Sequence, residues 1–296
     1  MKYRVSWIAP IWMALLAAHA GATITVRDDA GNSVVLDKPA QRIVSLAPHA
    51  TELIFAAGGG DRIVGTVEYS DYPAAALRIS HVGNHQQIDI ERVIALKPDL
   101  LVVWLHGSSE RQLDSLRKLG IPFFYSEPKK LADIPDSVAR LGRLMGTEQQ
   151  ADKMAAAERA QLASLAAKYR DRPTVRTFYQ VWGKPIYTLN GTHILSDVMR
   201  LCGAENVFAH LSVTAPSVST EAVLLANPEA MITGDRKTTA GLEIWARYPD
   251  LLAVKNGNLF SINADLLNRA GPRLIDGAAM VCEKLEEARS RRIAKP

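Results

Sequence analysis

Only two of the 296 residues are cysteine, so the chain cannot build a dense disulfide scaffold or a cysteine-rich zinc site. The pair, Cys202 and Cys282, reads as one disulfide in an exported protein, with two buried free thiols as the alternative. Strong charge of one sign is also missing, since 35 Lys and Arg stand against 31 Asp and Glu for a formal net charge of +4. No basic patch interleaved with aromatics and no nucleic-acid-binding signature occurs, and the late cluster Arg289, Arg291, Arg292 and Lys295 reads as a solvated tail. Partners are therefore expected among small molecules and proteins rather than nucleic acids. Catalytic signatures are lacking as well: there is no G-x-S-x-G, H-E-x-x-H or Walker loop, and Gly58, Gly59 and Gly60 follow a helical stretch as its C-terminal cap. Ser70, Asp71, His49 and His106 can be assembled into a catalytic group only on paper, so an enzyme is the weaker reading.

A membrane-spanning run of roughly 20 apolar residues is not found either. The stretch from Val5 to Ala18 is shorter, is broken by Pro10, follows Lys2 and Arg4, and ends in Ala18, His19, Ala20, Gly21, Ala22. That is the pattern of a secretory signal peptide over residues 1–22, cleaved after Ala20 or Ala22. No cysteine lies near the cleavage region, so a lipid-anchored form is not expected.

What is present is a repeated α/β pattern. Ile43 to Leu46, Ile63 to Val67 and Leu100 to Trp104 are short β-type runs bounded by Pro, Gly or polar residues, as in parallel strands buried on both faces. Loops on the carboxyl side of such a sheet bind ligands, and there the chain places Pro48, His49, Tyr69, Tyr72, His85, Trp104 and His106. Residues 147–171 carry an Ala-, Gln-, Glu- and Lys-rich segment without Gly or Pro, read as one long helix that Arg172 and Pro173 end. Beyond it the strand and helix pattern recurs, and ERVIALKPDLLVV and EAVLLANPEAMIT look like one unit used twice. The expected organisation is a peripheral β-hairpin over 23–40, an α/β lobe over 41–146, the helix, and a second α/β lobe over 172–296. Trp245 reads as packing on an amphipathic helix.

The segments SLAPHATELIFAAG, EYSDYP, IERVIALKPDLLVVW, ERQLDSL, LCGAENVF, VSTEAVLL and NRAGPR follow one another from about Arg42 to Leu285. In that order they resemble the periplasmic substrate-binding proteins of the helical-backbone class, which serve ABC importers of cobalamin, haem and ferric siderophores. The resemblance implies two Rossmann-like α/β lobes joined by a single rigid helix, with the ligand between them and little hinge motion. It implies a monomeric periplasmic receptor without a cofactor of its own, carrying cobalamin or a related corrinoid to a dimeric permease with ATPase subunits. Haem or a ferric siderophore is the alternative cargo.

Residue by residue, the resemblance places Tyr69, Trp104 and Tyr187 among the aromatics of the ligand pocket, and Asp265 with Arg269 at the ligand's polar edge. The bland reading of the last two is a loop salt bridge. His85 and Ala215 stand where cobalamin-binding members carry tryptophan. His85 is then either an axial ligand to a bound iron or cobalt or an uncoordinated hydrogen-bonding imidazole. Glu91 and Glu221 match the acidic residues with which the family docks its permease, although a helix start favours a carboxylate regardless of any partner.

Overall fold

The computed structural model describes residues 23–84, 87–107, 109–235 and 241–293; the expected signal peptide, His85 and Lys295 lie outside them. Strands β1 (Ile24–Arg27) and β2 (Ser33–Leu36) pair antiparallel. There follow β3 (Ile43–Ser45), α1 (Pro48–Ala56), β4 (Ile63–Thr66), α2 (Ile90–Ala95), β5 (Leu100–Trp104), α3 (Glu110–Arg117), β6 (Phe123–Ser126) and α4 (Asp133–Met145). The long helix α5 spans Glu148–Tyr169. The second half comprises β7 (Val175–Gln180), the pair β8 (Trp182–Gly183) and β9 (Ile186–Tyr187), α6 (Ile194–Leu201), β10 (Ala204–Asn206), α7 (Thr220–Ala226), β11 (Ala230–Asp235), α8 (Leu252–Lys255), β12 (Leu259–Asn263), α9 (Ala264–Leu267) and α10 (Arg273–Ile293).

Both sheets are parallel and share one order: β4-β3-β5-β6 in the first half and β10-β7-β11-β12 in the second. Alternate residues of each strand enter different cores, Ile43 and Leu100 on one face and Val44 and Leu101 on the other. The repeat extends to single bonds. Lys97 and Asn227 both adopt positive φ (47° and 40°) before a proline, ending α2 and α7. Arg42 then donates to the Leu96 carbonyl and Arg176 to the Ala226 carbonyl, while Asp99 N–H and Glu229 N–H return to Arg42 O and Arg176 O.

Between the sheets, α5 packs on α4 along one side and on α10 and α6 along the other. The approach to α4 is close: a Cβ on Gly142 would lie 2.2 Å from the Ala151 Cβ. One hydrophobic cluster runs from Ile43 and Leu100 through Ala151 and Ala155 of α5 to Tyr179, Ile232 and Leu285, so the two halves share a continuous core. The Cys202–Cys282 disulfide, with Cα atoms 4.7 Å apart, ties the end of α6 to α10. Such a link contributes about 2–5 kcal/mol.

Two expectations are corrected. The β1–β2 hairpin is not peripheral: Val26, Val34 and Leu36 are buried in the shared core, and Asp29 pairs with Arg140 of α4 at 2.5 Å. Nor are the late arginines a solvated tail. Arg289 donates to the carbonyls of Pro173, Cys202 and Gly203, Arg291 reaches Asn258, and Arg292 meets Glu229 at 2.6 Å. These side chains fasten α10 to the second half. Trp245 does serve packing, but on a 3-10 turn, fully buried, with its indole N–H donated to Gln180.

The buried stripe of α5 contains one group that does not belong to an apolar seam. Glu158 is 6% exposed, and neither carboxylate oxygen has a hydrogen-bond partner among the described residues. Burial lifts its pKa to about 7; Arg159 pulls it down and Asp276 pushes it up. The unfolded carboxyl loses its proton near pH 4.5 and the folded one near 7, so the stabilisation is complete below 4.5 and is lost as pH rises through 7. Glu158→Gln, which cannot ionise, should gain on the wild type between pH 5 and 8, by up to about 3 kcal/mol in urea unfolding. A difference that stays constant across that pH range would refute the assignment.

Candidate functional site

The carboxyl edges of the two sheets meet at a cluster of charges. Glu52 lies on α1, after β3; Asp71 and Tyr72 follow β4; Arg269 and Arg273 follow β12. Arg273 clamps Glu52 with Nε to Oε2 at 3.0 Å and Nη2 to Oε1 at 2.6 Å. Arg269 Nη1 donates to Glu52 at 3.1 Å and to Asp71 at 2.6 Å. The Glu52 side chain is 1% exposed and that of Arg269 9%. A carboxylate that deep requires its counter-charges, and both come from the other half of the chain. Burial opposes the charge on Arg269, yet its bonds to Asp71 and Glu52 outweigh burial and raise its pKa. The guanidinium of Arg273 also stacks over the Tyr72 ring, 4.1 Å from its centroid.

Around this junction the first half presents aromatics. Tyr69 and Tyr72 are 61% and 45% exposed. Tyr69 holds a positive φ of 66°, a strained conformation for a non-glycine residue. Its loop is pinned by a buried hydroxyl chain in which Thr51 bonds Ser45 at 2.8 Å and Ser70 at 3.2 Å. Trp104, at the end of β5, is set between two walls. The His49 ring meets it edge-on at 5.7 Å, and a Cβ on Gly107 would come within 1.8 Å of the indole. The geometry thus fixes the orientation of Trp104.

His49 is not the rim residue expected from the sequence. It is buried, with Nε2 3.1 Å from the Ser126 hydroxyl. Burial holds its pKa down to about 4; Ser126 raises it and the charge of Arg269 lowers it further. His106, by contrast, is exposed beside Glu127.

In the second half, Tyr187 is 38% exposed on β9, and Ala215 is exposed on the segment running antiparallel beside it. Asp265 and Arg269 do form an i, i+4 pair, but at 4.0 Å it is the longest of the ion pairs of Arg269. The sequence did not single out Glu52, Arg273 or the 65%-exposed Trp182. The one available signal for Glu52 was that it is the only carboxylate of its helix, in the run that begins with Pro48. Among the described residues no group of three or more His, Cys, Asp or Glu side chains is arranged to hold a metal ion.

Glu91 and Glu221 open α2 and α7, whose N-caps Asp89 and Ser219 accept from Arg92 N–H and Ala222 N–H. Glu221 is held below the usual carboxylate range by its own backbone N–H and by the Ser219 hydroxyl. Each glutamate lines a surface pocket. That of Glu91, about 480 Å³, includes Gly83, Asn84 and Ile88, and that of Glu221, about 500 Å³, includes Lys184, Pro185 and Tyr248.

Two similar α/β lobes that meet at the carboxyl edges of their sheets, with exposed aromatics beside the junction, define a bilobal binding protein. The chain belongs to the periplasmic binding protein family, whose model matches residues 43–266. It is 42% identical over 250 residues to the vitamin B12-binding protein of Vibrio cholerae serotype O1, covering 84% of this chain and 91% of that one. The vitamin B12-binding protein of Yersinia pestis is 36% identical over 246 residues, covering 83% and 86%. Among solved structures, the periplasmic vitamin B12 binding protein of Vibrio cholerae matches at a TM-score of 0.79 and 41% identity, over 85% of this chain and 98% of that one. A periplasmic heme binding protein from Pseudomonas aeruginosa matches at 0.71 and 25% identity, over 82% and 91%.

The cross-lobe cluster carries a direct prediction. Glu52→Ala takes from Arg273 its bidentate carboxylate and leaves Arg269 to Asp71 and Asp265, and should lower stability by about 3–5 kcal/mol, read from the urea midpoint. Glu52→Gln, which keeps the shape and loses the charge, should fall in between. An unchanged midpoint in Glu52→Ala would contradict a joining role for this carboxylate.

Proposed function

We propose that this chain is a periplasmic receptor that captures cobalamin or a related corrinoid between its lobes and delivers it to an ABC importer. The observation that carries the reading is the 42% identity to a vitamin B12-binding protein across 84% of the chain. Tyr69, Trp104 and Tyr187 supply apolar ring surface for a conjugated macrocycle, which needs stacking area more than directed bonds. Asp265 and Arg269 stand at its polar edge, where a charged hydrogen bond orients the ligand's amide side chains. Export rests on residues 1–22 as a signal peptide. The receptor works as a monomer and catalyses nothing; the ATPase subunits of its partner supply the energy.

A second cargo, haem, is favoured by the heme-binding relative at 25% identity and by His85 as an axial ligand. Calorimetric titration separates the two. Mature protein beginning at Thr23 should bind cyanocobalamin one-to-one with a sub-micromolar Kd, about 8 kcal/mol or more. Absence of saturation with cyanocobalamin, alongside saturable haemin binding that His85→Ala abolishes, would overturn the corrinoid reading.

Glu91 and Glu221 dock the permease. They occupy equivalent positions on duplicated helices, so together they can engage equivalent arginine sites on two permease subunits and set the register. Glu91→Ala with Glu221→Ala should abolish stimulation of the importer's ATPase in proteoliposomes and leave ligand affinity within about twofold. A large loss of affinity would contradict docking.

A further inference from the structure

Trp182 is the most exposed of the described tryptophans, at 65% against 37% for Trp104 and none for Trp245. A single exposed ring needs no explanation, but a contiguous exposed aromatic patch marks a binding surface, and Trp182 has an exposed partner in Tyr187, at 38%. Its placement is specific. In the two-residue ladder of β8 and β9, Trp182 stands opposite Tyr187, and Gly183 opposite Ile186. Directly opposed residues of an antiparallel pair share a face. Ile186 is 7% exposed and packs with Phe178 and Trp245, so its face turns into the core of the second lobe. Trp182 and Tyr187 therefore share the opposite, outward face.

The ribbon that carries them is the direct continuation of β7 past its carboxyl end, with Val181 N–H bonded to Tyr187 O. It leaves the sheet on the edge where Glu52, Asp71, Arg269 and Arg273 join the lobes. The ribbon is held firmly. Gln180, just before it, donates to Gly241 O at 2.6 Å and accepts from Trp245 Nε1 at 2.8 Å, and the indole N–H of Trp182 donates to Lys184 O at 3.1 Å. On the far edge of β9 runs the segment with Ala215, fixed by Thr188 N–H to Pro216 O and Asn190 N–H to Thr214 O. Ala215, small and exposed, leaves that flank of Tyr187 open, and the other flank is walled by Trp182.

We propose that Trp182 is a ligand-contacting residue, whose ring extends the Tyr187 surface into one aromatic wall of the second lobe and selects for a planar conjugated ligand face. The inference rests on the binding-protein reading above. A rigid ring of this size in a preformed position adds contact area with little ordering entropy. Its exposure means that truncation costs the fold only the solvent-facing bond to Lys184 O, while the bonds of Gln180 and Val181 still hold the ribbon.

The test is calorimetric titration of wild type, Trp182→Ala, Trp182→Phe and the distant surface variant Leu225→Ala, with cyanocobalamin, or with haemin if that is what the wild type binds. Trp182→Ala should raise Kd by about tenfold or more with an unchanged melting temperature, Trp182→Phe should recover most of the loss, and Leu225→Ala should match the wild type. Wild-type affinity in a folded Trp182→Ala protein overturns the inference and leaves the cargo assignment standing. So does unaltered affinity with lost ATPase stimulation, which would move Trp182 to the permease contact. A wild type that binds neither probe defeats the cargo reading itself, and this inference with it.

Discussion

A single buried carboxylate organises this molecule. Glu52 sits on the first helix of the first lobe, almost without access to water, and takes three hydrogen bonds from two arginines more than two hundred residues away. An unpaired charge at that depth would be prohibitive, so the carboxyl edge of the second sheet has to stand against that of the first. The pairing is geometrically demanding as well. Arg273 approaches Glu52 as a bidentate fork and lays its plane on Tyr72, so the angle between the lobes is constrained along with their distance. Tyr72 of the first lobe owes its place under Arg273 of the second to that constraint.

The hinge side of the molecule obeys the same restraint through different physics. The apolar cluster passes without interruption from the first sheet through α4 and α5 to α10, and Gly142 lets α4 and α5 approach to backbone contact. Bending the lobes apart would open that core and pull Glu52 from its arginines at once. Rigid joints at both ends suit the docking role proposed for Glu91 and Glu221, because a docking pair works only if its spacing is preserved. Glu158 is the local exception, a carboxyl without a hydrogen-bond partner among the described residues in the seam of α5.

How much of this the sequence disclosed depends on whether the deciding partner was near or far along the chain. Strands β3 and β5 were legible because β-branched runs between Pro, Gly and polar residues carry their own signal, and the twin exits at Lys97-Pro98 and Asn227-Pro228 were legible as a repeat. The Cys202–Cys282 bond was legible because only one pairing exists. Long-range fates were not. Arg289 looks like any cation on a terminal helix until the carbonyls of Cys202 and Gly203, some 87 residues earlier, are brought to it. The motif around Asp265 and Arg269 suggests a local pair, whereas the stronger bonds of Arg269 reach Glu52 and Asp71. Trp245 was legible as packing from its amphipathic surroundings, whereas the outward turn of Trp182 follows from the register of β8 against β9.

The charge balance of the junction bears on what the cleft accepts. Glu52, Asp71 and Asp265 set three carboxylates against the two guanidinium groups of Arg269 and Arg273, so the cluster carries no spare positive charge. A catecholate or carboxylate iron chelate, and to a lesser degree the propionates of haem, call for converging cations that are not already neutralised. Among the described residues this cluster does not offer them. A ligand whose charge is balanced within itself asks less of such a site: ring surface to lie against, and a few fixed donors and acceptors to orient amides at its periphery. A corrinoid has that character, and in the proposed function the exposed rings of Tyr69, Trp104 and Tyr187 would supply the surface it lies against.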